Sequence, residues 1–214
     1  MSAWIETALI AIVLTNFLLL ASSRLGGCIR TVAVQGVILG VLLLFTHAGA
    51  LTPRILVLAA VIVLVKGVIL RRLLLRTLGS VHKRREIEPF VGYTLSILVG
   101  VASLLISMYM GARLQLPGPV ASSLAVPVAF STMLTGLFLV ISRRKALTQV
   151  LGYLVAENGI FVFAVTVTHG GSLWVELGIL LDVLVAVFVM GIAVHHISNE
   201  FDSIDVARIS TLKG

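Results

Sequence analysis

The chain has 214 residues, of which 59% are hydrophobic and only 12% charged, with a mean hydropathy of +1.14. A soluble domain carries roughly 45–50% apolar and 25% charged residues, so this composition excludes one and leaves an integral membrane protein. The formal charge of +7 does not point to nucleic acid, because the bases fall in short stretches between apolar runs, the pattern of topology determinants.

The first run, within MSAWIETALIAIVLTNFLLLASS, has no basic residues ahead of it and carries Glu6 instead. It therefore reads as a retained helix and not as a cleaved signal. Charge clusters and Pro/Gly breaks then cut the chain into seven spans, at about 3–22, 31–48, 54–77, 89–111, 119–141, 146–168 and 173–195. The Gly-rich pieces Arg24–Cys28 and His169–Ser172 read as turns. Pro53, Pro89 and Pro117/Pro119 stand at span starts, where a missing backbone donor does least harm, and Pro127, inside the fifth span, predicts a kink. The single cysteine, Cys28, excludes an internal disulfide and any cysteine-built metal or iron–sulfur site.

Thirteen basic residues fall on one side of this arrangement: Arg24, Arg30, Arg71, Arg72, Arg76, Lys83, Arg84, Arg85, Arg143, Arg144, Lys145, Arg208 and Lys213. The other side holds Arg54 and Arg113. Such a bias places the N-terminus outside and the C-terminus in the cytoplasm. The expected fold is an all-α, polytopic bundle of seven transmembrane helices. TNFLLLASSR (Thr15–Arg24) resembles TGLFLVISR (Thr135–Arg143), and GVLLLFTHAGA (Gly40–Ala50) resembles IFVFAVTVTHGGS (Ile160–Ser172). These matches divide the chain into a three-helix unit over 1–88, a connecting helix over 89–116, and a second three-helix unit with a short tail over 117–214, a parallel repeat of the kind found in transport proteins.

Three charged residues lie deep in these spans. Lys66 is near the centre of the third, Glu157 about eleven residues into the sixth and Asp182 about nine into the seventh. At ~1.5 Å of rise per residue they share one depth, where a charge costs roughly 2.5–3.5 kcal/mol on insertion scales. One base and two acids at the midplane can relay protons, or form a static pair that sets helix register. Asn158 and Gly159 suit a close helix contact, a cross-helix hydrogen bond or a local bulge. Glu6 and Glu176 lie near outer span ends, as the mouth of a path or simply in water. His47 and His169 share the outer side, and His195 and His196 end the seventh span. A haem pair would need matched depth, which only His47 and His169 have.

ALTQVLGYLVAENG (Ala146–Gly159), VELGILLDVLVAVFVM (Val175–Met190), the ending SIDVARISTLKG (Ser203–Gly214) and Lys66 in VLVKGVILRRLL resemble the hydrogenase-4 component E family of membrane-bound hydrogenases. Spans five to seven alone resemble in layout the K subunit of respiratory complex I and the C subunit of multisubunit cation/proton antiporters. On that resemblance Asp182 takes the place of the second of two relay acids, while Glu157 is displaced by about one turn and Leu154 stands at the first acid's position. One turn leaves the carboxylate on the same helix face. The resemblance implies a non-catalytic subunit of a formate hydrogenlyase or related complex in a bacterial or archaeal cytoplasmic membrane, carrying part of a proton or cation path through Lys66, Glu157, Asp182, Glu176, His169 and Glu6. It implies antiporter-like membrane partners, no cofactor in this chain, and a nickel–iron centre and iron–sulfur clusters in partner subunits. A purely structural scaffold and a stand-alone carrier are the rival readings.

Overall fold

The computed structural model describes residues 2–49, 51–80, 91–114, 121–143 and 146–167, together with positions 178, 181, 182, 185 and 187. Lipid offers backbone groups no partners, so a chain this apolar must satisfy them within its own helices. The helices are α1 (Ser2–Ala21), α2 (Leu25–Thr46), α3 (Pro53–Ile62), α4 (Leu70–Ser80), α5 (Tyr93–Arg113), α6 (Ala125–Ser142) and α7 (Ala146–Val167). A π-helical segment, Val63–Ile69, joins α3 to α4 without a break. Thr52 caps the start of α3 by accepting from the Ile55 N–H at 3.4 Å, with Pro53 in the first turn.

Among the described residues six helical stretches are long and apolar enough to cross a bilayer: Ala3–Ala21, Leu25–Thr46, Pro53–Leu78, Tyr93–Arg113, Ala125–Ser142 and Leu147–Thr166. The protein is a multi-pass, all-α membrane protein. Of the predicted span 173–195, Gly178, Leu181, Asp182, Val185 and Val187 are helical and the other residues lie outside the described ones. So do Lys83, Arg84, Arg85, Arg144, Lys145, Arg208 and Lys213.

Two local expectations are corrected. Arg24–Cys28 is not a free turn: α2 begins at Leu25, and the Cys28 N–H already donates to the Arg24 carbonyl at 3.1 Å. Leu25, Cys28 and Ile29 are buried in the core, which outweighs the ~1 kcal/mol that each of Gly26 and Gly27 costs in a helix. Pro127 does not kink a helix interior, because α6 starts at Ala125 and places it in the first turn. A backbone donor there has no intrahelical acceptor to lose.

α6 and α7 pack backbone to backbone through glycines. A methyl group on Gly152 would lie 2.7 Å from the Val140 nitrogen, and one on Gly159 2.6 Å from the Met133 nitrogen. One on Gly136 would collide with the backbone of Ala156. Close approach of this kind is how helices associate where lipid removes the hydrophobic drive. Gly159 thus serves the contact and does not form a bulge, since α7 runs unbroken through it. α2 touches α1, α3, the π segment, α4 and α7. The apolar core falls into two clusters. One gathers Leu20, Ile29, Leu74, Leu151 and Leu154; the other gathers Leu9, Leu39, Ile62, Val128 and Val162. The side chains between them are polar.

Candidate functional site

Five of the elements, and the helical position 182, bring polar side chains to the layer between the two clusters. Thr15 and Asn16 come from α1, Gln35 from α2, Lys66 from the π segment, Thr132 from α6, Glu157 and Asn158 from α7, and Asp182 from the helical positions beyond it. All are buried, Gln35, Thr132 and Asp182 completely.

The π segment spans seven residues with Lys66 at its middle. Its wider turn sets Lys66 against Gly36, where an added methyl would collide with the Lys66 Cβ. From there Lys66 Nζ donates to Glu157 Oε1 at 2.8 Å, Asp182 Oδ1 at 3.0 Å and Asn158 Oδ1 at 3.1 Å. An ammonium has three N–H groups, so all are used. Glu157 Oε2 and Asp182 Oδ2 are buried with no hydrogen-bond partner among the described residues.

Charge decides what this cluster can hold. One lysine faces two carboxyl groups in a buried layer, and an isolated buried charge there costs several kcal/mol. Neutrality is reached when the two acids share one proton, which makes Lys66, Glu157 and Asp182 a single coupled site.

The layer continues on the other side of Lys66 as a ladder of amides. Asn158 Nδ2 donates to Gln35 Oε1 at 2.9 Å. Gln35 Nε2 donates to Asn16 Oδ1 at 2.9 Å and to Thr15 Oγ1 at 3.1 Å. Asn16 Nδ2 donates to Thr132 Oγ1 at 2.9 Å, and that hydroxyl donates to the Val128 carbonyl at 2.7 Å. Lysine can only donate, so Asn158 must offer it oxygen, and every amide beyond is thereby oriented.

Of the residues singled out in the sequence, Lys66, Glu157, Asp182 and Asn158 come together. Glu6 does not join them. It is half-buried in the first turns of α1, about 15 Å along that helix from Asn16. His47 closes α2, its Nδ1 lying 3.1 Å from both the Leu43 carbonyl and the Thr46 hydroxyl. Glu176, His169, His195 and His196 lie outside the described residues. Arg143, counted in the sequence as a loop charge, is buried at the end of α6. There it donates to the Leu20 carbonyl at 3.4 Å and stands 5.6 Å over the Tyr93 ring. Asn16, Gln35 and Thr132 went unnoticed in the sequence. The signal for Asn16 and Gln35 was an amide in mid-span, as in LTNFLL and VAVQGVIL, which lipid tolerates only with a partner on another helix.

Compared with known proteins, the chain is 28% identical over 213 residues to an uncharacterized protein of Mycobacterium tuberculosis, covering 99% of this chain and 97% of the other. It is also 28% identical over 127 residues to hydrogenase-4 component E of Escherichia coli and of Shigella flexneri, an alignment spanning 59% of this chain and 59% of theirs. No family model matches. No solved structure matches.

Proposed function

We propose that this protein is a non-catalytic membrane subunit of a hydrogenase-type complex, in which Lys66, Glu157 and Asp182 hold a proton and pass it along the membrane plane. The observation that carries the reading is the contact of one lysine with two acids distant in sequence, at 2.8 and 3.0 Å, with one oxygen of each acid unpartnered among the described residues. The similarity to hydrogenase-4 component E supports the setting. The sequence resemblance of the last three spans to the complex I K subunit and the antiporter C subunit is the ground for including a lateral path shared with antiporter-like neighbours in this proposal.

Mechanically, the shared proton resides on Glu157 Oε2 or Asp182 Oδ2 while Lys66 stays bonded to the other oxygen of each. A charge change in a neighbouring subunit makes one residence cheaper than the other, and the proton moves. The coupling is a free energy between two sites, and it is reciprocal. Redox chemistry belongs in this scheme to partner subunits that hold a nickel–iron centre and iron–sulfur clusters, with formate as one candidate donor and the host's cytoplasmic membrane as the location. In this scheme Glu6, Glu176 and His169 are assigned to an outer mouth separate from the Lys66 cluster.

A second reading has its own support: all three Lys66 N–H groups are satisfied, as a static pin setting helix register would require. Glu157→Gln and Asp182→Asn separate the two. Both variants should assemble, and proton translocation by the complex in vesicles should be lost. If translocation is unchanged in both, the cluster is a pin and the relay reading is wrong.

A further inference from the structure

We infer that the Lys66 cluster meets water from one side of the membrane only, the side that carries the basic residues. This deepens the relay reading and rests on it, since it names where a proton would enter.

A crevice of about 10 Å³ runs between α2, α4 and α7, lined among others by Ala33, Leu70, Arg71 and Leu154, and it ends on Lys66 and Asn158. That is room for about one water. Among the described residues, the lining comes from the first half of α2, from Lys66 onward along α4, and from α7 no further than Asn158. These are the helix halves whose ends bear Arg24, Arg30, Arg72 and Arg76. None comes from the opposite halves, 37–46, 53–62 and 159–167. Arg71 is exposed while Leu70 and Leu74 beside it are buried, so the charged mouth and the apolar throat belong to one helix turn.

The ladder closes another direction. A proton leaving Lys66 toward α1 and α6 would have to cross Asn158, Gln35 and Asn16. Carboxamides donate and accept hydrogen bonds without gaining or losing a proton near neutral pH. The ladder ends on the Val128 carbonyl, which accepts only. It holds Lys66 in place and conducts nothing.

The test reads water access and not pumping. In a Cys28→Ser background, Ala33→Cys and Leu74→Cys place thiols along the crevice, and Ala59→Cys places an equally buried thiol in the opposite half. Membrane vesicles of both orientations, holding the chain with its native partners, are treated with silver ion, a probe small enough to follow water. They are quenched and denatured, and the remaining thiol is titrated with a fluorescent maleimide. The A33C and L74C thiols should be consumed severalfold faster than that of A59C, and only from the basic face. Equal rates at A33C and A59C, or reaction of A33C from the opposite face, overturn the inference. Reaction at L74C without A33C also overturns it, because the crevice would then stop short of Lys66. Silver access needs no translocation, so failure here stands apart from failure of the relay, which E157Q and D182N report.

Discussion

Removing the cation should cost far more than removing either acid. Lys66→Met keeps the length of the side chain but leaves Glu157, Asp182 and Asn158 without the donor they share. Deleting one member of a buried ion pair costs about 3–5 kcal/mol. For a chain of this size each kcal/mol lowers Tm by about 2–4 °C, so K66M should melt about 6–20 °C lower. Glu157→Gln acts in the other direction on charge. It keeps an oxygen within reach of Nζ, replaces the unpartnered Oε2 by an amide N–H₂, and leaves one cation facing one anion. A hydrogen bond weakened from charged to neutral is worth about 1.5 kcal/mol or less, so E157Q should melt within about 6 °C of the parent. K66M combined with E157Q and D182N carries no formal charge and should recover most of the loss. The protein supplies its own reporter, since its single cysteine, Cys28, is buried. A maleimide that fluoresces on reaction follows its exposure as detergent-solubilised protein is heated. If K66M melts with the parent, or E157Q falls as far as K66M, the three groups are not one charge-balanced unit.

Gly136→Leu should abolish accumulation in the membrane, measured by immunoblot, because the side chain must enter the backbone of α7 at Ala156 and Gly152; overpacking of this kind costs about 1–3 kcal/mol or more. Gln35→Leu leaves the Asn158 amide and the Asn16 carbonyl unpaired, about 1–3 kcal/mol each, and should lower Tm in the same thiol assay. Pro127→Ala breaks no helix hydrogen bond, since the ring sits in the first turn of α6, but it empties the buried space the ring fills against Gly111 and should cost about 1–2 kcal/mol in the same assay.

The charged residues of the site were legible because a Lys, Glu or Asp interrupts an apolar run with a large hydropathy penalty, and three interruptions at one depth leave few arrangements. The amides were not, because Asn16 and Gln35 perturb their runs far less and their meaning lies in a partner 116 or 19 residues away. The π segment was hidden for another reason: VLVKGVIL reads equally well as straight α-helix, and the wider turn coincides with a close approach of α2 at Gly36 that no local pattern announces. Arg24–Cys28 misled because glycine weakens a helix locally, while burial of Leu25 and Cys28 acts through residues distant in sequence. Pro127 misled by about six residues of helix start. Span ends are set by loops and caps, and hydropathy averages across them.

The fit of Gly36 to Lys66 shows whether the π segment serves the site or merely the bundle. Lys66 follows Ile62 and precedes Leu70 and Leu74 at four-residue intervals, and all four are buried. In an ideal α-helix a four-residue repeat drifts about 40° per step, which would carry Lys66 off the face that Ile62 occupies. A π turn, bonded i to i+5, takes up that drift, and Lys66 stays inward only while α2 comes close enough at Gly36. Gly40 makes the matching contact one turn on, where an added methyl would lie 2.5 Å from Val63 Cγ2 and 3.2 Å from the Ala59 carbonyl. Gly36→Ala and Gly40→Ala should therefore both lower Tm, by about 1–3 kcal/mol of overpacking. They should differ in coupling. G36A pushes directly on Lys66, whose bonds to Glu157 and Asp182 at 2.8 and 3.0 Å have little room to lengthen, whereas G40A meets Val63 and the Ala59 carbonyl, neither of them part of the charged cluster. Proton translocation in vesicles should fail in G36A and survive in G40A. Equal loss in both variants would mean that close packing of α2 alone is what matters, and that the wider turn has no part in placing the lysine.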